Sequence, residues 1–423
     1  MTVVQLPHTI DLAIIGAGPQ ALTLVTHLLQ KKKAMAERLL VFDPSGTWMD
    51  HWQQQFVRLE IPHLRSPAVH HPDPNAFALR RFAESRPEEL VPPYDLPGTR
   101  LFADFCQEVV QRWQLQNRVV KATVTKLTPL TAGPRSGFHL QLSGGREIRA
   151  HRVVLATGGG RRQLPQWVEQ IPPGYPPDRL CHSTQIDLRG LHLRGERILI
   201  LGGGLTSGHL AVGAIERGAA VVLMSRRQLY EKLFDADPGW LGPKYLKGFW
   251  AEPDWCKRLE MIMTARNGGS MTPAMLTRLR RLSDRGQLTF YERCQVAQAA
   301  WDGQSWQIRC STAGQHDCLQ NQRLDRIWLA TGSYLDAAEE PLLSQVGQYF
   351  SPIVVNGLPV LDEYLRWPGC ELFIMGGLAA LQVGPTARNL SGAIQASNRI
   401  VPALLKPRGI PWTGANPVAS ADH

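Results

Sequence analysis

The sequence predicts an α/β chain made of two doubly wound units, and two observations carry that reading. Residues 11–24, DLAIIGAGPQALTL, and residues 198–211, ILILGGGLTSGHLA, each pass from an apolar run through a glycine cluster into the first turn of a helix. Each is followed by a second apolar run, Leu39-Leu40-Val41-Phe42 and Ala220-Val221-Val222-Leu223-Met224, as a strand–helix–strand unit requires. The length agrees, since 423 residues exceed one ordinary core and suit two or three domains.

Composition narrows the function classes. Hydrophobic residues at 43% and charged residues at 19% describe a soluble globular chain. No stretch approaches the roughly 18 uncharged apolar residues of a membrane span, and MTVVQLPHTIDLAII lacks the basic region and cleavage site of a secretion signal. That first run reads as a strand, so the expected compartment is the cytoplasm. The seven cysteines include no Cys-x-x-Cys pair, which argues against a zinc ribbon and against disulfide exchange. His70 and His71 are adjacent and point apart on a strand, so no metal site is expected.

A formal net charge of +10 raises nucleic acid as a partner, but the basic runs have local explanations. Lys31-Lys32-Lys33 closes the helix after the first glycine cluster, where cations offset the negative end of the helix dipole. Arg278, Arg280 and Arg281 fall on the solvated face of a helix framed by Thr272, Pro273 and Gly286. Neither nucleic acid nor a membrane is an expected partner.

In the first cluster, Gly16 permits the tight turn, and Gly18 lets backbone approach a pyrophosphate. Pro19 and Gln20 open the helix, and small Ala21 lets it pack against the strand. The exposed N–H groups and the positive helix end then meet phosphates. Asp43 ends the following strand roughly 20 residues on, the place of a carboxylate that holds ribose hydroxyls. The second cluster repeats the design with Gly202, Gly204, Leu205, Thr206 and Ser207, but its following strand ends in Ser225-Arg226-Arg227. Arginines at that point accommodate the 2′-phosphate of NADP. Two fingerprints imply two dinucleotides, one a resident flavin and the other a hydride donor, NADPH.

At this point the chain resembles the flavoproteins with two dinucleotide-binding domains. Two strands ending in Ala156-Thr157-Gly158 and Ala330-Thr331-Gly332 add to it, because in that family such ends mark the crossings between domains. The resemblance implies two Rossmann-like domains, the NADPH domain inserted into the FAD domain. Residues 1–160 and 325–410 would form the FAD domain, 161–324 the NADPH domain, and 411–423 a tail. It also implies a last FAD contact at Gly376-Gly377, where the family carries Gly-Asp. Backbone around Gly384 would face the flavin ring, ahead of a helix from Asn389 to Ile400.

Within that family the missing cysteine pair leaves monooxygenases and simple reductases. Gly46-Thr47-Trp48 and Trp52 resemble the Gly-x-Trp segment of the flavin-containing and the lysine/ornithine N-hydroxylating monooxygenases. Both tryptophans also read as core aromatics. The stretch from His71 to Phe77 is loosely similar to the Asp-Pro…Phe segment of the N-hydroxylases. Cys181-His182-Ser183 is similar to a His-Ser signature that has glycine where this chain has Asp178. Residues 233–255, dense in Pro, Gly and aromatics, exclude a long regular element. They read as a substrate wall, with Phe234, Asp235, Trp240 and Lys244 as contacts, or as a packed surface loop.

The resemblance implies an FAD- and NADPH-dependent monooxygenase that forms a C4a-peroxyflavin and passes one oxygen atom to an amine nitrogen or sulfur of a small molecule. Two alternatives stay open: an NADPH-dependent reductase of a quinone-like acceptor, and a slow flavin redox sensor. The expected partners are the small-molecule substrate and oxygen, with homo-oligomerisation compatible. No acid–base residue stands out, since the flavin does the difficult chemistry.

Overall fold

The computed structural model describes residues 6–130, 137–266, 268–311, 319 and 322–406. The expected tail, 411–423, lies outside them. Thr9–Ile15 is central to a seven-stranded sheet. Leu39–Asp43 pairs in parallel on one side, with Val119–Lys121 beyond it, and Glu147–Leu155 pairs in parallel on the other. The far edge of Glu147–Leu155 is shared. Its last residues take Leu372–Ile374 in parallel, and its first take an antiparallel meander through Gly137–Leu142 to Val124–Leu130. The central strands are apolar because both faces are covered: Ala13, Ile14, Val41, Val153 and Val154 are fully buried.

The second sheet has five parallel strands in the order Leu180–His182, Arg326–Leu329, Arg197–Leu201, Ala220–Ser225, Leu288–Glu292. In both units the fingerprint helix follows the central strand directly. Pro19–Lys31 starts from Gly18 and Leu205–Glu216 from Gly204. The basic helix Pro273–Asp284 has the expected frame. Thr272 Oγ1 accepts from the Met275 N–H at 3.3 Å, and Gly286 takes φ +73° just past the end. No described helix is long and apolar enough to cross a membrane.

Packing shifts the unit boundaries implied by chain order. Arg326–Leu329 lies inside the second sheet, so the chain crosses back after Leu329 and not at 325. Residues 236–266, placed with the inserted unit, bury Ala236, Trp240, Leu246, Phe249 and Ile262 in the core of the first. The 233–255 stretch does break into short pieces, a 3-10 turn Pro238–Leu241 and a helix Pro243–Ala251 with Gly242 and Pro243 at its start. The last helix, Leu390–Leu405, starts from Asn389 as expected but runs past Ile400 through Pro402, its buried Val401 and Leu404 keeping it on the core.

Candidate functional site

The two glycine turns are built from the same contacts. Gly16 donates its N–H to Phe42 O at 2.9 Å and takes φ +99°, and a Cβ there would stand 2.6 Å from Ala156 O. Gly202 donates to Met224 O at 2.9 Å and takes φ +149°, and a Cβ would collide with Ala330 O. Ala156 and Ala330 are therefore the neighbours that demand glycine at each turn, and each donates to the preceding strand, to Ile15 O and Leu201 O, at 2.8 Å. Gly18 and Gly204, the N-caps, differ in kind: a Cβ on either meets nothing within 4 Å. That is the open approach a phosphate needs at a helix N-terminus. Ala21 is fully buried against the core, and Ser207 Oγ donates to Gly204 O at 2.7 Å.

Asp43 is fixed beside the first turn. Its Oδ2 accepts from the Ala17 N–H at 3.0 Å, and its Oδ1 accepts from the N–H and hydroxyl of Ser45 at 2.9 and 2.6 Å. Gln20 reaches the other way, its Nε2 donating to Ala387 O and Asn389 O, both at 3.2 Å. Beside the second turn Arg226 is exposed, while the Arg227 guanidinium packs over Gly268 and stands 5.8 Å from the Tyr230 ring centroid.

A cavity of about 1740 Å³ opens along the first turn, well beyond the roughly 300–1000 Å³ of a single small-molecule site. Gly16, Gly18, Pro19, Gln20, Asp43, Trp52, Ala156, Thr157, Gly158, Phe234 and Asp235 line it. Two residues of this wall, Gln20 and Thr386, also carry a buried polar atom, Oε1 and Oγ1, with no hydrogen-bond partner. The open N-cap at Gly18, the fixed Asp43 carboxylate and the size of the cavity together fit a bound dinucleotide.

Several expected contacts stand elsewhere. Trp48 is buried and donates its indole N–H to Leu115 O at 3.0 Å, a core role. Gly376 and Gly377 do not reach the cavity; the space a side chain at 377 would need is taken by Leu335 and Arg388. Gly384 packs toward Leu246 and Phe249. Trp240 is buried against Tyr245 and Phe249, and Lys244 places its Nζ 5.0 Å from the Tyr245 ring, outside the cavity. Thr331 donates to Gln163 O, and Gly332 O accepts from the Gln163 N–H and the His182 ring. His182 lines the cavity with both ring nitrogens engaged, on Gly332 O and Thr184 Oγ1 at 3.0 Å each, and burial lowers its pKa. Both ring nitrogens are thus committed to protein partners. Asp178, in the place of the signature glycine, pairs with Arg326 at 2.8 Å. In the His71–Phe77 stretch, Asp73 accepts from the Trp113 indole, and His71 packs edge-on to Phe105, again in the core.

Motif reading missed Arg65 and the Thr386–Ser391 segment, both on the cavity wall. Arg65 donates to the carbonyls of Lys232, Leu233 and Phe234 and to Ser270 Oγ, fixing the start of the aromatic stretch. Asn389, as N-cap of the last helix, was the available signal for the second segment.

Comparison with known proteins decides among the open readings. A family model described as FAD-NAD(P)-binding matches residues 13–160. A second, described as L-lysine 6-monooxygenase/L-ornithine 5-monooxygenase, matches residues 96–334, more than half of the chain. The chain belongs to that family. It is a flavin-dependent monooxygenase of the amine-oxygenating kind, and FAD and a nicotinamide dinucleotide are its cofactors. Its fold is similar to an ornithine hydroxylase from Pseudomonas aeruginosa, at 17% identity and TM-score 0.74 over 94% of this chain and 98% of that one. An ornithine N-hydroxylase from Kutzneria sp. 744 matches at 16% identity and TM-score 0.75, over 94% and 99% of the two chains. A cadaverine monooxygenase from Erwinia amylovora matches at 15% identity and TM-score 0.75, over 94% and 95%. Among curated proteins none matches.

Proposed function

We propose that the chain is an NADPH-dependent N-hydroxylase of a small primary amine, with FAD lying along the cavity and oxygen as co-substrate. The observation that carries this is the pair of matched glycine turns in a chain of this family, one of them opening onto a cavity large enough for a cofactor and a substrate together. Gly16, Gly18 and the N–H groups that follow would hold the FAD pyrophosphate, with Asp43 on its ribose. Gly202, Gly204 and Ser207 would hold the NADPH pyrophosphate, with Arg226 and Arg227 on the 2′-phosphate. The FAD unit then comprises residues 1–160 and the chain after Leu329, together with the docked 236–266 stretch. The NADPH unit carries the second sheet.

Bound FAD would supply the redox chemistry, accepting a hydride from NADPH and activating oxygen for transfer of one atom to the amine nitrogen. The chain's own work is orientation and exclusion of water. Arg65 holds Phe234 and Asp235 at the cavity wall, and both would contact the substrate there. Cys106, Cys181, Cys256 and Cys370 are free thiols, which supports a cytoplasmic setting.

The test is product analysis under labelled oxygen gas, with NADPH and lysine, ornithine or cadaverine. We expect amine-dependent NADPH consumption and a hydroxylamine product carrying one labelled oxygen atom. NADPH consumption driven by a quinone, with no labelled product, would favour the reductase.

Coenzyme choice gives a second expected result. A hydrogen bond to a charged group is worth roughly 1.5–3 kcal/mol. Arg226→Ala and Arg227→Ala should therefore weaken NADPH by about 10- to 100-fold, at 1.4 kcal/mol per decade, and leave NADH nearly unchanged. Equal losses for both coenzymes in steady-state kinetics would show that neither arginine reads the 2′-phosphate.

A further inference from the structure

One wall of the cavity carries more positive than negative charge. Asp235 lies 2.7 Å from the Arg266 guanidinium and 3.7 Å from that of Arg65. Arg266 also donates to Pro385 O at 2.8 Å, and Arg65 is committed to the carbonyls of 232–234. Arg388 faces the same cavity and makes no hydrogen bond or ion pair among the described residues. Asp235, the carboxylate within electrostatic reach of it, is already engaged by Arg266. Three guanidinium groups thus share one carboxylate.

The position of Arg388 is built, not incidental. Gln20 clamps the carbonyls of its two neighbours, Ala387 and Asn389. Beneath the side chain lies Gly377, where a Cβ would stand 2.8 Å from Arg388 Nε, so glycine is what leaves the arginine its room. Two residues earlier, Thr386 is 2% exposed, and its buried hydroxyl has no partner. Arg388 is itself exposed, and partial desolvation and Arg266 lower its pKa with Asp235 opposing, so an incoming anion would reach it and offset both. A guanidinium on the cavity with no acceptor of its own, beside two others that share one carboxylate, defines what it takes.

We propose that Arg388 is the anion-binding point of this cavity, taking either a carboxylate on the amine substrate or a phosphate of the bound dinucleotide. The first source rests on the hydroxylase reading, and the second does not. Either would make Arg388 a specificity-determining residue outside the two glycine motifs.

The experiment uses the full chain as wild type, Arg388→Gln, Arg388→Lys and Gly377→Ala. FAD affinity is read by titrating the apoprotein. Amine binding to the flavin-loaded protein is read from flavin absorbance, with lysine and cadaverine, which differ only by the carboxylate. If the substrate supplies the anion, Arg388→Gln should keep its FAD affinity and weaken lysine by about 10- to 100-fold, the range of a charged hydrogen bond. Cadaverine should be unmoved. If the cofactor supplies it, FAD should weaken by a similar factor. Arg388→Lys should recover part of either loss. Gly377→Ala, which keeps the charge but takes its space, should reproduce the loss and add nothing on top of Arg388→Gln. Should the wild type bind no amine while FAD still weakens in Arg388→Gln, the anion point stands and the hydroxylase reading falls. Unchanged affinity for FAD and an unchanged ratio of lysine to cadaverine binding would overturn the proposal.

Discussion

Replacing Gly18 by glutamate is expected to give a folded protein that keeps no FAD. The backbone there has φ −81° and ψ −172°, extended geometry open to any residue, and a Cβ meets nothing within 4 Å. Folding has little reason to suffer, and a carboxylate at a helix N-terminus is favourable in itself. The new side chain, however, occupies the space and the positive helix end that the pyrophosphate would use. Juxtaposed like charges cost several kcal/mol, so FAD affinity should fall by at least about 100-fold. The purified variant should be colourless, stay so after incubation with FAD, and melt near the wild-type temperature. Gly16→Ala is the contrast: its φ of +99° and the 2.6 Å approach to Ala156 O put the damage in the fold itself. A yellow Gly18→Glu protein would count against the assignment.

The contrast between these two glycines explains why the fold was legible. Gly16 and Gly202 answer to a local steric demand, a left-handed backbone pressed against the strand end at Ala156 or Ala330. A demand of that kind leaves a mark in sequence, as does the apolar run of a strand covered on both faces. Asp43 belongs with them, because its spacing follows from the strand–helix–strand geometry that brings it to the Ala17 N–H.

The remainder of the site depends on contacts between distant segments, and periodicity carries no trace of those. Gly377 is glycine because Arg388 and Leu335 need its space, which is a fact about packing and not about a turn. Trp48 and Trp240 are large apolar side chains next to segments of interest; only tertiary structure sends the first to Leu115 and the second into the core of the other unit. The 236–266 stretch likewise follows the second fingerprint in chain order, yet Arg258 donates to Leu381 O and Trp250 to Gln382 O, which hold it on the first unit. Chain order sets neighbours in sequence, and buried apolar area decides neighbours in space.

Gly204→Glu should produce the complementary defect: a yellow protein that retains FAD but is no longer reduced by nicotinamide coenzymes. Its site is built like that of Gly18, with φ −103°, ψ 173° and no atom within 4 Å of a Cβ, so the fold should again be spared. The flavin should still bleach with dithionite, which needs no coenzyme site. In anaerobic stopped flow, reduction at a fixed coenzyme concentration should slow by at least about 100-fold, by the same like-charge argument. The loss should be equal for NADPH and NADH, since both carry the pyrophosphate that this turn would hold. That separates it from Arg226→Ala and Arg227→Ala, whose effect should be confined to NADPH. The pair of glutamate variants also tests which turn serves which dinucleotide. If Gly204→Glu were the colourless protein and Gly18→Glu the yellow one, the two cofactors would have to be exchanged between the turns.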